Sequence, residues 1–257
     1  MGITLESVQV VLVRTCPEVD SDWLQLLCEL YGKPILPTGF LPPPAAQEAV
    51  DQTPTAITSP GADIFEWLDR QAPSSVLYVA LGSETVISVD LFHELALGRD
   101  LSRLPFLWAL RRPAGLPPNV DLLPEGFEAR TTGQGIVAKG WVPQQEILAH
   151  PAIGGFLTHC GWSSLVEGLR HGRPLVMLPV FADQGLNARL MRARGCGVEV
   201  PREEDGAFTR EGVAEVARHV MVDKAGKEVW TAARGMEVVF GDQAGEVRGP
   251  VGAVVSG

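Results

Sequence analysis

Six residues, His159-Cys160-Gly161-Trp162-Ser163-Ser164, close the apolar run Ile153–Thr158 and open an amphipathic one. That change of pattern is a strand handing over to a helix. At such a corner the unpaired N–H groups and the dipole of the helix attract phosphate. Gly161 lets a ligand approach the backbone closely, and Ser163 and Ser164 add hydroxyl donors on the first turn. Glu167, four residues after Ser163, projects from the same face one turn further in. A carboxylate beside a phosphate site is repelled unless it faces neutral hydroxyls, so a ribose diol is its natural partner. Trp141 and Gln144 lie in a loop rich in Trp, Pro and Gln and offer a flat stacking surface and an amide for a base. Asp183 and Gln184 follow the apolar run Pro174–Leu178 at the same sheet edge, a place to hold sugar hydroxyls.

Each residue also has a plainer reading. Trp141 alone is a core aromatic, His159 a satisfied core histidine, Glu167 a solvated helix charge, and Asp183-Gln184 a turn pair. His150, His159, Cys160 and His171 invite zinc, but adjacent His159 and Cys160 point apart and no second ligand pair exists, so no metal is expected. Gly161-Trp162-Ser163 also suggests the nucleophile elbow of a serine hydrolase, yet Leu165 stands where that motif needs its last glycine.

The elements that must position these residues are legible as alternating apolar strands and amphipathic helices. Helices are expected at Asp63–Gln71, Val89–Gly98, Gln145–His150, Ser163–His171, Gly185–Arg194 and Glu211–Val222, the last clear one. Strands are expected at Ser75–Leu81, Pro105–Leu110, Gly135–Ala138, Ile153–Thr158, Pro174–Leu178 and Gly197–Val200. This alternation predicts an α/β fold with a parallel, doubly wound sheet. Ahead of it, Val8–Val13 reads as a strand and Asp20 or Ser21 as the N-cap of a helix with a core-facing stripe of Trp23, Leu26, Leu27 and Leu30. Gly32 ends that helix and Lys33–Leu36 returns extended. The proline-rich stretch from Pro37 to Pro60 reads as a linker, and the tail from Gly241 loses helical periodicity.

With 257 residues, of which 46% are hydrophobic and 20% charged, the chain can bury one substantial core, or a domain and a fragment of another. A net charge of −10 disfavours nucleic acid and anionic membrane surfaces as partners. Four cysteines without paired spacing read as reduced thiols of a cytoplasmic protein, and neither a signal peptide nor a membrane-spanning run is recognisable.

From Trp141 to Gln184 the text is WVPQQEILAHPAIGGFLTHCGWSSLVEGLRHGRPLVMLPVFADQ, with Asn187 just beyond. It resembles the signature box of plant family-1 UDP-dependent glycosyltransferases. Weaker matches, VLYVALGSET at 76–85, HELALG at 93–98, FLWALRRP at 106–113 and LLPEGFEAR at 122–130, carry the resemblance over most of residues 7–233. It looks closest to the branch that extends sugars already attached to plant natural products, such as flavonoid or terpenoid glycosides. The resemblance implies a Rossmann-like C-terminal domain of a two-domain enzyme. It implies Trp141 stacked on uracil, Gln144 near the ribose and Glu167 on its hydroxyls. His159, Ser163 and Ser164 would contact the diphosphate, with Trp162 shaping the sugar pocket and Asp183 and Gln184 binding the transferred sugar. Ser83, and less directly Thr85, would lie near the phosphates. Gln184 at the last box position accompanies glucose donors, so UDP-glucose is the expected co-substrate, with no cofactor and a small-molecule acceptor.

Three departures follow from the same comparison. Ser163 replaces the usual Asn of the box. Residues 1–36 look like the last β-α-β piece of the acceptor domain, whose general-base histidine and its orienting aspartate lie in the largely missing N-terminal part. The family's closing helix is not recognisable after about Phe240. The expected organisation is therefore an acceptor-domain remnant at 1–36, a linker at 37–61, a donor-binding domain at 62–233 and an atypical, disordered tail at 234–257. The expected function is inverting transfer of a hexose from UDP-sugar to an acceptor hydroxyl, with this chain alone inactive. The competing readings are a UDP-sugar-binding remnant without catalysis and, behind it, the serine hydrolase.

Overall fold

A computed structural model describes residues 8–40, 60–82, 85, 87–113, 116–117 and 119–241. The linker positions 41–59, Ser83 and the tail beyond Gly241 lie outside the described residues. The chain divides into two compact units, one of residues 1–55 with 239–257 and one spanning Ala56–Val238.

In the first unit, β1 (Val11–Val13) and β2 (Ile35–Pro37) pair in parallel across helix α1 (Pro17–Tyr31). The helix starts earlier than its capping residues suggest. Pro17 opens it and Asp20 breaks its dihedrals (φ −134°, ψ 32°), with the Thr15 hydroxyl donating to its carboxylate at 2.5 Å. Gly32 ends it in the left-handed region, as expected. The stripe assigned to the core is not buried. Trp23 is 62% and Leu30 68% exposed, whereas Val19 and Leu24 face inward. Periodicity identifies an apolar face, but not whether anything covers it.

The second unit alternates as the sequence predicts. In order come α2 (Pro60–Asp69), β3 (Val76–Ala80), α3 (Val89–Ser102), β4 (Phe106–Leu110), α4 (Phe127–Arg130) and β5 (Gly135–Lys139). Then follow α5 (Gln144–Ala149), β6 (Ile153–Thr158), α6 (Trp162–Arg170), β7 (Leu175–Met177), α7 (Gln184–Ala193), β8 (Gly197–Glu199), α8 (Arg210–Met221) and α9 (Gly226–Gly241). Two of these helices lay outside the sequence reading. The short α4 follows the αL residue Gly126, and α9 runs through the start of the segment read as a tail.

All six strands are parallel, in the order β5-β4-β3-β6-β7-β8. Counted from β3 this is 3-2-1-4-5-6, the order of dinucleotide-binding folds, in which the direction of strand addition reverses between the first and fourth strands. The reversal opens a crevice past the carboxyl ends of β3 and β6. The sheet forms because β3, β4 and β6 are almost wholly apolar, the Tyr78 and Thr158 hydroxyls excepted, and are buried on both faces, as parallel strands must be. Leu77, Val79, Phe106, Trp108, Leu157 and Val176 meet Phe92 and Leu95 of α3 and Val213, Val216 and Val220 of α8 in one core. Each such side chain contributes about 1.5–3 kcal/mol by leaving water. Ser88 and Thr209 cap α3 and α8 by accepting from the N–H groups of Leu91 and Gly212.

Candidate functional site

At the strand reversal His159, Trp162, Ser163, Ser164 and Glu167 follow β6, and Gln144 bonds to Glu167. β6 ends at Thr158, and the next three residues turn the chain into α6. Cys160 makes the turn in the left-handed region (φ 67°), unusual for a residue with a side chain. Two bonds hold it: its N–H donates to the Thr158 hydroxyl at 3.3 Å, and its carbonyl accepts from Asn187 Nδ2 at 3.1 Å. Gly161 is the N-cap of α6 and supplies no side-chain cap. The first intrahelical bond runs from Leu165 N–H to Gly161 carbonyl, so the amides of Trp162, Ser163 and Ser164 belong to the open end of the helix.

His159 lies between two glycines. A Cβ built on Gly82, just past β3, would sit 2.8 Å from its Cε1, and one on Gly161 would sit 2.5 Å from its Nε2. Both glycines are thus required by the imidazole, which stands over the crevice between the ends of β3 and β6. Ser163 is exposed, Ser164 and Trp162 half-buried. The strained residue of this corner is Cys160, while Ser163 is helical, the reverse of a nucleophile elbow.

On the face of β3 turned away from the main core, α5 begins beside α6. Trp141 is 70% exposed, so it is not the core aromatic of the plainer reading. Gln144, the first residue of α5, donates from Nε2 to Glu167 Oε2 at 2.5 Å. Its Oε1 accepts from the hydroxyl of Tyr78 at 3.0 Å. Tyr78 sits in the middle of β3, fully buried. Its phenol pKa is raised by burial, with the Arg111 cation opposing and the Glu167 carboxylate adding to the shift. Sequence reading passed over Tyr78, although it carries the one polar side-chain group in the run VLYVA.

Past β7, Ala182 adopts φ 55° and Asp183 is exposed at the head of α7, where it accepts from Asn187 Nδ2 at 3.0 Å. Gln184 is buried, and its Oε1 accepts from the N–H groups of Val180 and Phe181 at 2.8 and 3.1 Å. The amide carbonyl therefore braces the turn. Asn187 binds both this turn and the Cys160 carbonyl, so the β6 and β7 loops are tied together. Thr85 is buried and its hydroxyl donates to the Leu81 carbonyl, a turn contact. Among the described residues no group of three or more His, Cys, Asp or Glu side chains is placed to hold a metal ion.

A separate cavity of about 580 Å³ lies past the ends of β4 and β5, lined by Leu110, Arg112, Phe127, Glu128 and Lys139. Two of its charged groups pair, Lys139 with Glu128 at 2.8 Å, and Arg112 donates to the backbone carbonyls of Pro117 and Val120. It lacks the convergent donors of the crevice.

Comparison with known proteins agrees with this geometry. The family profile described as UDP-glucoronosyl and UDP-glucosyl transferase matches residues 53–233. The chain is 44% identical to UDP-glycosyltransferase 91C1 of Arabidopsis thaliana, over 96% of this chain and 51% of that protein. It is 43% identical to soyasaponin III rhamnosyltransferase of Glycine max, over 92% of this chain and 49% of that protein. The structure of Phytolacca americana UGT2 complexed with UDP-2fluoro-glucose and pterostilbene superposes with a TM-score of 0.74 at 28% identity, covering 90% of this chain and 48% of that one. The chain spans about half the length of the curated relatives it matches.

Proposed function

This chain belongs to the UDP-glucoronosyl and UDP-glucosyl transferase family, and from that membership we propose that its crevice binds a UDP-sugar and presents the sugar for transfer to a hydroxyl of a small plant metabolite or its glycoside. The observation that carries the reading is the corner at the strand reversal. There His159, fitted between Gly82 and Gly161, stands beside the open amide end of α6. We assign the diphosphate to that amide end with His159, Ser163 and Ser164, the ribose to Gln144 and Glu167, and the uracil to the exposed face of Trp141. Asp183 and the NH₂ of Gln184 take the sugar hydroxyls, with Trp162 shaping that pocket. Ser83 completes the phosphate side by resemblance alone.

In the reaction, the acceptor oxygen forms a bond to the anomeric carbon from the face opposite UDP as the bond from that carbon to the diphosphate breaks, inverting configuration. The acceptor proton passes to a base on the acceptor side, and negative charge grows on the departing UDP. Amide dipoles and His159, already in place, stabilise that charge without reorganising, as preorganised donors do. This half of the chemistry is orientation and leaving-group stabilisation. The donor sugar is assigned as glucose from Gln184, with rhamnose as the competing donor because one relative is named a rhamnosyltransferase. A cytoplasmic location is part of the proposal. Among the described residues no helix is long and apolar enough to cross a membrane.

Calorimetric titration with UDP tests the site. Trp141→Ala is expected to weaken binding about 10–100-fold, the loss of one stacked base. Glu167→Ala should weaken UDP and spare a nucleotide without ribose hydroxyls. Wild-type protein that is folded yet silent toward millimolar UDP would refute the assignment. Titrating UDP-glucose against UDP-rhamnose decides the sugar. Turnover of this chain with a glycoside acceptor would exclude the second reading, a binder without catalysis.

A further inference from the structure

The residues assigned to the ribose are not independent. Glu167 is a half-buried carboxylate, and a carboxylate accepts hydrogen bonds without donating any. The Gln144 amide must therefore turn its NH₂ toward Glu167 and its carbonyl the other way. What meets that carbonyl is the Tyr78 hydroxyl, at 3.0 Å. Tyr78 does not move: its ring is fully buried and stacked on Phe156 of β6, centroids 5.3 Å apart and planes 21° from parallel. It stands mid-strand, paired to Leu107 on one side and Phe156 on the other. A phenylalanine would fill the same space, and a buried hydroxyl without a partner is unfavourable, so the oxygen is tolerated because Gln144 Oε1 accepts its hydrogen bond.

Resting on the donor-site reading above, we propose that Tyr78 is the positioning residue of the ribose clamp: from the middle of the sheet, its hydroxyl fixes the amide of Gln144, which in turn fixes the carboxylate of Glu167 for the ribose diol. The chain of bonds runs Tyr78 Oη to Gln144 Oε1, then Gln144 Nε2 to Glu167 Oε2 at 2.5 Å. It joins strand β3 to the start of α5 and the middle of α6, so the carboxylate is set by the rigid sheet and not by a loop. Tyr78 touches no substrate in this arrangement. It holds one bond of a chain whose far end reads the sugar.

Tyr78→Phe, Glu167→Ala and the double variant, titrated with UDP and with 2′,3′-dideoxy-UDP, test the proposal. Wild type should prefer UDP by about 10–100-fold, the range for losing hydrogen bonds to a charged group. Tyr78→Phe should reduce that preference several-fold while leaving dideoxy-UDP binding unchanged. In the Glu167→Ala background, Tyr78→Phe should change UDP affinity clearly less than it does in the wild type, because the two act through one chain. Equal losses for both nucleotides, or additive losses in the double variant, would overturn the role and leave Tyr78 a packing residue. No UDP binding by wild type would instead sink the donor-site reading itself. Because the chain holds only two tyrosines, Tyr31 and Tyr78, incorporated 3-fluorotyrosine gives a second readout that does not need the Phe variant to fold. Glu167→Ala should shift the Tyr78 fluorine resonance and leave that of Tyr31 in place, and an unmoved Tyr78 signal would also overturn the proposal.

Discussion

At the scale of single residues, the constraint nearest the candidate site falls on the two glycines that face His159. Gly82 adopts φ 75°, so a side chain there meets both backbone strain and the imidazole, whereas at Gly161 it meets the imidazole alone. Gly133 (φ 81°) has open space around it and serves as the control. We expect Gly82→Ala and Gly161→Ala to lower UDP affinity at least about 10-fold by displacing His159, the loss of about one charge-assisted bond. Gly133→Ala should cost about 1 kcal/mol of stability and leave UDP affinity alone. Calorimetry together with urea denaturation of the three variants separates the two effects, and equal losses of UDP affinity in all three would show that His159 is not the cause.

At the scale of elements, Arg173 joins pieces that sequence reading left unconnected. Its Nε donates to the Leu148 carbonyl at 2.8 Å, one NH₂ to Ile153 at 2.7 Å and the other to His150 at 3.1 Å. The fork closes the end of α5 and the start of β6, and lysine cannot span three carbonyls from one ammonium. Arg173→Lys should destabilise by about 1–3 kcal/mol, measured by urea denaturation, since buried carbonyls lose their donors. A second link, between α3 and α8, is sensitive to pH. The Arg210 side chain bonds Glu94 and holds its carboxyl below the usual carboxylate range. A carboxyl with a depressed folded pKa adds stability above its unfolded value, near pH 4.3, and loses it as pH falls through the folded value. Glu94→Gln should therefore cost about 0.2–1 kcal/mol at pH 7 and progressively less as pH falls below the unfolded value. A wild-type minus variant difference that grew on acidification would contradict this. Legibility followed the same division. Strands such as VLYVA, FLWAL and IGGFLT were readable because burial on both faces leaves an unbroken apolar run. Helix α9 was not, because Gly235, Thr231 and its valines are poor helix formers; what packs it is tertiary, with Ala233 buried and Trp230 Nε1 bonded to the Val220 carbonyl at 2.8 Å. The box residues Trp141, His159 and Glu167 were legible by type and spacing. Tyr78 was not, since its partner is 66 positions away and only the folded sheet brings them together.

At the scale of the whole molecule, the chain presents a net charge of −10 and yet holds open amide dipoles at one crevice, so attraction for a diphosphate is local. The two compact units each carry two thiols, and all four are free. Burial raises the Cys16 and Cys160 pKa values to about 12 and that of Cys196 to about 11, while Cys28 is only partly covered. Since the thiolate is the reactive form, iodoacetamide at pH 8 should label Cys28 first, with mass spectrometry following the rest. Early labelling of Cys196 or Cys160 would mean that the six-stranded unit opens far more often than its packing suggests. Cys160 lies on the very turn assigned to the diphosphate, and it is spectroscopically silent but chemically countable. Its rate of alkylation makes it a clock built into the turn, ticking each time the β6 corner comes apart and slowing once a nucleotide clasps it shut.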